Sequence, residues 1–168
     1  MPDDVGLAGH GWWELFDETG ELKECGLFDN LVTQVGDQYY GERAAGISSP
    51  PAQVTGMQLG TGNTAVAKTG AGAAVVTFIS GSPVAIDGGF PTSALNGSSR
   101  RIQWKTTWAA GVATATGIAE VVLINQAVAT NSAAAAANTI ARALISPTVN
   151  KGASDTLAVT WNHDILGA

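Results

Sequence analysis

Few residues in the chain are of types that could do chemistry. There are two histidines, His10 and His163, and one cysteine, Cys25. A zinc site needs three or four clustered Cys, His, Asp or Glu ligands, and no such spacing occurs in the sequence. His163 and Asp164 alternate along a predicted strand, so their side chains point to opposite faces. With no Gly-x-Ser-x-Gly turn to present a nucleophile, we predict no metal or catalytic site, a histidine satisfied in the core or at an edge, and a buried or inert thiol.

Two glycine-rich segments are the only candidates for holding a phosphate group. Gly60-Thr-Gly62 and Gly70-Ala-Gly72 both lack the third glycine of Gly-x-Gly-x-x-Gly, and neither precedes a convincing helix. No Gly-Lys-Thr/Ser sequence follows a glycine loop. We therefore predict no cofactor and no enzyme, with an esterase as the remotest of the functions considered.

One acidic residue, Glu120, lies inside the apolar segment 118–124. A lone buried acid could act as a general base, but pairing with a cation is the commoner arrangement. The candidate cations are Arg101, Lys105 and Arg142. We predict that Glu120 pairs with one of them.

Five tryptophans are a high number for 168 residues, and all of them lie in predicted strands. Trp12 and Trp13 are adjacent, so in a strand they face opposite ways. If Trp13 lies in the core, Trp12 is exposed unless a loop of the same chain covers it, and both arrangements stay open. Because tryptophan often anchors protein interfaces, we predict a partner interface formed by Trp12, Arg101, Lys105, Glu120 and Arg142.

Charge is scarce and unevenly placed. Only 13% of residues are charged, against about 25% in an ordinary soluble domain. Eight Lys plus Arg against fourteen Asp plus Glu leave no basic patch for nucleic acid. Ten of the fourteen acids fall in residues 1–42, either as a solvated face or as an acidic edge that meets a basic edge of a neighbouring subunit. A lightly charged surface is typical of a protein that buries much of it against other subunits.

Targeting signals are not visible in the sequence. The N-terminus has no basic region followed by an apolar one, and no window reaches about 18 uninterrupted apolar residues. The single cysteine excludes a disulfide scaffold. We expect a protein made in a reducing cytoplasm, soluble there and without a membrane partner.

The elements that must position these residues are mostly strands. Residues 10–16 and 22–28 predict a hairpin around the turn Asp17-Glu18-Thr19-Gly20. Residues 101–108 alternate between apolar and polar side chains, which indicates a half-buried strand, and 156–166 places Leu157, Val159, Trp161, His163 and Ile165 on one face of a terminal strand. The segment 118–124 predicts a central strand.

The rest of the chain gives weaker signals. A short helix is predicted over about 31–40, with Asn30 as its N-cap. The stretch 68–95, with β-branched runs at 75–79 and 84–86, predicts one or two strands, and 127–138 forms either a helix or a mobile loop.

Short strands separated by Gly, Pro and Asn turns predict a mainly β fold. We expect an antiparallel β-sandwich or jelly-roll-like single domain over residues 1–168, with an N-terminal hairpin and at most one or two short helices. Residues 1–11 are a candidate for an extended N-terminal arm.

The order of the segments from about Trp12 to Ile165 carries a further signal. They read Leu-Phe-Asp-Asn-Leu-Val-Thr-Gln-Val-Gly over 27–36, Gln-Leu-Gly-Thr-Gly over 58–62, Arg-Ile-Gln-Trp-Lys-Thr-Thr-Trp-Ala-Ala-Gly over 101–111, Ile-Ala-Glu-Val-Val-Leu over 118–123, Ala-Arg-Ala-Leu over 141–144, and Val-Asn-Lys-Gly-Ala-Ser-Asp-Thr-Leu-Ala-Val-Thr-Trp over 149–161. This succession resembles a group of small virion structural proteins of tailed bacteriophages, several of which decorate the head as cement proteins.

The resemblance implies a homodimer or homotrimer that binds the major capsid protein on the virion surface and stabilises the expanded head. A tail, baseplate or fibre-adaptor protein is the first alternative. A carbohydrate-binding module is the second, with Trp12, Trp104 or Trp108 stacking on sugar rings. Such a module should place its aromatic residues in loops, so the positions of the tryptophans in strands disfavour it.

Overall fold

The computed structural model describes residues 6–165, and strands dominate its regular structure. The strands are β1 Leu7–Phe16, β2 Leu22–Val32, β3 Gly56–Gly60, β4 Val84–Ala85, β5 Thr92–Asn96, β6 Ser99–Trp108, β7 Ala115–Ile124, β8 Thr139–Lys151 and β9 Thr156–Ile165. Within the same range there are one α-helix, α1 Gln34–Ala44, and two short 3-10 turns, Gly70–Ala73 and Ala136–Asn138.

All of these strands belong to one antiparallel sheet in the order β4-β3-β7-β8-β2-β1-β9-β6-β5, which curls into a half-barrel. The predicted mainly β antiparallel fold is thereby confirmed. The residues on both sides of β4 reach β6, near the opposite end of the sheet. Trp108 Nε1 donates to the carbonyl of Ser82 at 2.7 Å, and the N–H of Asp87 donates to the carbonyl of Lys105 at 2.8 Å. These bonds join the two ends of the curled sheet.

The concave face of the sheet carries the core. Four of the five tryptophans point into it and are almost fully buried, namely Trp13, Trp104, Trp108 and Trp161. Helix α1 packs there through Tyr39 and Tyr40. The alternation predicted for β6 and β9 is confirmed, because one side of each strand faces this core.

The predicted N-terminal hairpin is also confirmed. β1 and β2 pair from Gly9–Asn30 to Phe16–Leu22, and Gly20 takes a φ of +85° in the turn between them. Such a positive φ favours glycine because it has no Cβ. Of the candidate arm, residues 7–11 belong to β1 and pair with β9, Gly6 precedes the strand, and 1–5 lie outside the described residues.

The helix begins three residues later than predicted, and Asn30 is not its N-cap. Leu31 and Val32 still pair with β8 as part of β2, so the chain stays extended there. Thr33 is the N-cap, and its side-chain oxygen accepts from the N–H of Gly36 at 3.1 Å. The competing sheet pairing therefore overrides the local helical spacing.

In the middle of the chain, one of the two β-branched runs is not a strand. Residues 84–86 contain β4, and β5 follows at Thr92–Asn96, but 75–79 form only an isolated bridge between Phe78 and Gly60. The prediction of one or two strands in this part of the chain is confirmed by β4 and β5, and 75–79 stays outside the sheet because a side chain binds its amides, as described below. The segment 127–138 is a loop that ends in a 3-10 turn.

Candidate functional site

The outward face of the sheet divides into two halves that differ in what lies above them. We call the part formed by β3, β7 and β8 the covered half, because loops 61–79 and 127–136 pack over it. We call the part formed by β2, β1, β9, β6 and β5 the open half. Its outward side chains on β1, β2 and most of β6 are half-buried or exposed, whereas those on β9 are buried, namely Ala158, Thr160, Asn162 and Asp164. The five predicted interface residues are divided between these two halves.

An apolar layer holds the loops on the covered half. Val122 and Ile124 of β7 point outward and form a buried cluster with Val75 and Ala134, one residue from each loop. Gln58 of β3 adds a polar contact, since its Oε1 accepts from the N–H of Ala134 at 2.9 Å. The loops therefore act as a second layer over these three strands.

An ion pair lies beneath the same loops. Glu120 Oε2 accepts from Arg142 Nε at 3.0 Å and from Arg142 Nη2 at 2.8 Å, and both side chains are 0% exposed. Arg142 Nη1 donates to the carbonyl of Thr64 at 2.7 Å, which connects the pair to the first loop. The prediction that Glu120 pairs with a cation is confirmed, and the cation is Arg142.

The Glu120 carboxylate binds three loop amides, one of which belongs to the glycine-rich segment 60–62. Its Oε1 accepts from the N–H groups of Gly62 at 3.1 Å, Val76 at 3.1 Å and Thr77 at 2.9 Å. A Cβ at Gly60 or Gly62 would lie 2.3 or 2.6 Å from that oxygen, so glycine is needed for this close approach. These bonds also explain why 75–79 does not extend as a strand.

Glu120 and Arg142 therefore cannot contact a partner, and their inclusion in the predicted interface is wrong. A charge taken out of water must find an opposite charge and hydrogen bonds, because its desolvation costs several kcal/mol. Here Glu120 and Arg142 each supply the opposite charge to the other, and their remaining polar atoms bind backbone groups of loop 61–79. The ion pair holds this loop against the covered half from beneath it.

Trp12 lies near the middle of the open half. It points away from Trp13, as predicted, and is half-buried. Its cross-strand neighbours are Leu27 on β2 and Thr160 on β9, and Lys105 on β6 follows Thr160. Leu27 is 80% exposed. The four residues Leu27, Trp12, Thr160 and Lys105 form a row across four strands, which we call the Trp12 row.

Arg101 lies in the open half beside the Trp12 row and is already paired. Its Nε and Nη2 donate to the two carboxylate oxygens of Asp164, both at 2.8 Å, and Nη2 lies 3.2 Å from His10 Nε2. The guanidinium lowers the pKa of the Asp164 carboxyl, since its hydrogen bonds favour the charged form. Arg101 therefore brings a neutralised ion pair to this surface.

A buried amide lies between the Trp12 row and Arg101. Asn162 of β9 points outward but is fully buried, and its Oδ1 accepts from Gln103 Nε2 at 2.9 Å. Its Nδ2 has no hydrogen-bond partner among residues 6–165. The outward side of β9 thus holds a buried polar group beside the Trp12 row.

His163 lies on the concave side of β9, where it contacts Tyr40 and Trp161. The Nδ1 of His163 lies 2.6 Å from Tyr40 Oη, and its Nε2 accepts from Trp161 Nε1 at 3.0 Å. Burial lowers the pKa of His163 to about 3, because the charged ring would be desolvated. Burial likewise raises the pKa of Tyr40. The prediction of a satisfied core histidine is confirmed, and its neutral ring connects α1 to the sheet.

Sequence reasoning missed Leu27 and Asp164 as members of the open half. Leu27 precedes the core residue Phe28 in the predicted strand, so the period of two already placed it on the outer face. Asp164 follows His163 in the same way. The signal was present for both residues, but alternation alone does not say that the outer face is left open.

Two of the grooves among the described residues have a defined lining. One of about 390 Å³ lies between α1 and the loops after it, and one of about 250 Å³ lies against β5 and β6, lined by Thr92, Ala94, Leu95, Asn96, Arg101 and Gln103. Within 6–165, no three His, Cys, Asp or Glu residues cluster as metal ligands. No helix in that range is long and apolar enough to cross a bilayer.

Comparisons with known protein families, with curated proteins and with solved structures found no match to this chain.

Proposed function

We propose that this protein is a structural binding protein that attaches through its open half to the outer surface of a multisubunit shell. The resemblance noted in the sequence makes that shell the head of a tailed bacteriophage and the partner its major capsid protein. The observation that supports the proposal is the contrast between the two halves. Loops cover the outer face of the sheet on one half, whereas on the other half Trp12 and Leu27 face outward without such a cover.

The chemistry of the open half suits burial against a protein. An exposed leucine beside a half-buried tryptophan supplies the apolar centre that protein interfaces need, with Lys105 and Glu14 at its margin. The charge of Arg101 is neutralised by Asp164, which lowers the cost of desolvating this surface. A specific interface needs about 1,600 Å² of buried surface, and many symmetric copies would add avidity.

Attachment of this kind performs no reaction. A protein that binds the expanded shell more tightly than the unexpanded one shifts the equilibrium towards the expanded state. The stabilisation grows with the free concentration of the protein relative to its dissociation constant.

The test uses expanded capsids that lack this protein. Added protein should bind at a fixed ratio to the major capsid protein and raise the melting temperature of the shell. Trp12→Ala and Leu27→Lys should each weaken binding at least about tenfold, the effect of losing one interface anchor. The matched control is Ile47→Lys, which changes another exposed apolar residue outside the open half. Equal binding by Leu27→Lys and wild type would refute the proposed surface.

Two other outcomes would replace the proposal. A copy number of about a dozen or fewer per particle, as ring symmetry in a tail dictates, would move the protein to the tail or baseplate. Binding of oligosaccharides that disappears in Trp12→Ala, without any binding to capsids, would favour the carbohydrate-binding alternative. In that case Trp12 would stack on a sugar ring rather than on a protein surface.

A further inference from the structure

β5 ends the sheet, and one of its two edges carries no strand within the described chain. Its five residues, Thr92–Asn96, are all exposed, and β6 pairs with them on one side only. Alternate residues of an antiparallel strand direct their N–H and C=O groups to opposite sides. The two-residue turn closes on the pair Asn96–Ser99, so Ser93 and Leu95 direct their backbone groups away from β6. In agreement, the carbonyl of Ser93 receives a side-chain group, Arg100 Nη2, at 3.3 Å.

The other edges of the sheet are protected in ways that β5 is not. β2 pairs with β8 only over Asn30–Val32, and the part of β2 before this pairing carries Lys23, Glu24 and Asp29. Charges along an edge discourage pairing with another chain. At the opposite end of the sheet, β4 has only two residues. β5 carries no charged residue, and its Leu95 is 76% exposed.

We propose that β5 pairs antiparallel with β5 of a second copy of this chain, about a two-fold axis at Ala94. In this register Ser93 of each copy lies opposite Leu95 of the other. All the edge-facing N–H and C=O groups of both residues are then paired, once Arg100 releases the carbonyl of Ser93. No like charges meet across the pair, because the strand has none. The edge is therefore self-complementary, which is what a two-fold contact requires.

The geometry of this pairing determines where the two open halves lie. A two-fold axis that relates antiparallel strands is perpendicular to the sheet, so both copies keep their outer faces on the same side. The dimer would present two Trp12 rows to one surface. This consequence rests on the proposed function, in which bivalent attachment strengthens binding without a new contact. The dimer itself does not depend on it.

The contact is small, so its affinity is modest. Five residues on each side bury less than the roughly 1,200 Å² that stable interfaces start from. Sedimentation of the full chain up to about 500 µM should therefore show a concentration-dependent monomer–dimer equilibrium. Leu95→Lys should weaken it at least about tenfold, because two like charges would then lie close together across the pair. Leu27→Lys, the same change in the open half, should leave the dimer unchanged.

A cross-link tests the register. In the proposed pair the two Ala94 residues form a non-hydrogen-bonded pair with Cα atoms about 4.5 Å apart, within the range of a disulfide. The variant Cys25→Ser/Ala94→Cys should therefore form a covalent dimer under mild oxidation. The control Cys25→Ser/Ala8→Cys places a thiol at another exposed alanine, on β1, and should cross-link far more slowly.

Three results would overturn the dimer: a monomer at every concentration, equal effects of Leu95→Lys and Leu27→Lys, or equal cross-linking of the two cysteine variants. Capsid binding by a chain that stays monomeric would remove this inference and leave the proposed function standing. Dimerisation without capsid binding would refute the proposed function and leave the dimer standing.

Discussion

The covered and open halves belong to the same sheet, yet their outward side chains meet different surroundings. On the covered half, Val122 and Ile124 are buried under loops that the Glu120–Arg142 pair fixes in place. On the open half, Leu27 is almost fully exposed although it too is apolar. The comparison indicates that the chain can cover an apolar outer face with its own loops and does so on one half only. The exposure of Leu27 beside Trp12 is therefore the basis of the proposal that a partner covers the open half.

The largest expected effect lies in the covered half. Glu120→Gln removes one charge of the buried pair and leaves Arg142 uncompensated, so the free energy of unfolding should fall by about 3–5 kcal/mol. Urea unfolding monitored by tryptophan fluorescence measures this change. The double variant Glu120→Gln/Arg142→Met should lose less stability than Glu120→Gln alone. A loss below about 1 kcal/mol in Glu120→Gln would mean that the pair does not fix the loops.

The next effect concerns the core beneath the open half. His163 titrates near pH 3 when folded and near 6.5 when unfolded, so between these values the unfolded chain binds more protons. The free energy of unfolding should therefore fall as the pH is lowered from 6.5, by at most about 1.4 kcal/mol per pH unit. Denaturant titrations from pH 7 to 5.5 measure the slope, because nearly all carboxylates stay ionised over this range in both the folded and the unfolded chain. His163→Gln should remove the contribution of His163 to this slope. A slope that the substitution leaves unchanged would contradict the low pKa of His163.

A smaller effect is expected from the glycines under the covered half. In Gly60→Ala the new Cβ would lie 2.3 Å from Glu120 Oε1 and 2.6 Å from the carbonyl oxygen of Thr77, so the loop must shift. Overpacking of this kind costs about 1–3 kcal/mol. The matched change Gly41→Ala in α1 meets no atom within 4 Å and should be neutral or stabilising. Equal stabilities of the two variants would argue against a tight loop.

The smallest effect on stability is expected in the open half. Leu27→Ser removes an exposed side chain, and the free energy of unfolding should change by no more than about 0.5 kcal/mol. Trp12→Ala should cost more, about 1 kcal/mol, because the indole is half-buried. Thermal and urea unfolding of the isolated chain measure both. A loss above about 3 kcal/mol in Trp12→Ala would place Trp12 in the core and reverse the comparison.

Much of the fold follows from local sequence patterns. The alternation in β6 and β9 and the glycine turn after β1 were readable because a strand has a period of two and a tight turn needs a positive φ. The start of α1 was not readable in the same way. Leu31 fits a helical spacing, but β8 is more than 100 residues away in sequence and holds it in the sheet.

The candidate site was partly predictable for the same reason. Trp12 and Arg101 could be placed on an outer face from alternation, and Glu120 could be expected to pair with a cation. Whether a residue on an outer face is accessible could not be predicted, since Arg142 and Arg101 look alike in sequence. One lies under loops and the other is partly exposed.

The sequence by itself determined the strands and the direction of their side chains, because these depend on neighbours one to four residues apart. Only the tertiary structure decided which half of the outer face is covered. That choice depends on Glu120 meeting amides some 43 to 58 positions away, and on an arginine 22 positions away. Burial of a charge pair is favourable only when all these groups converge, and no local pattern records that convergence.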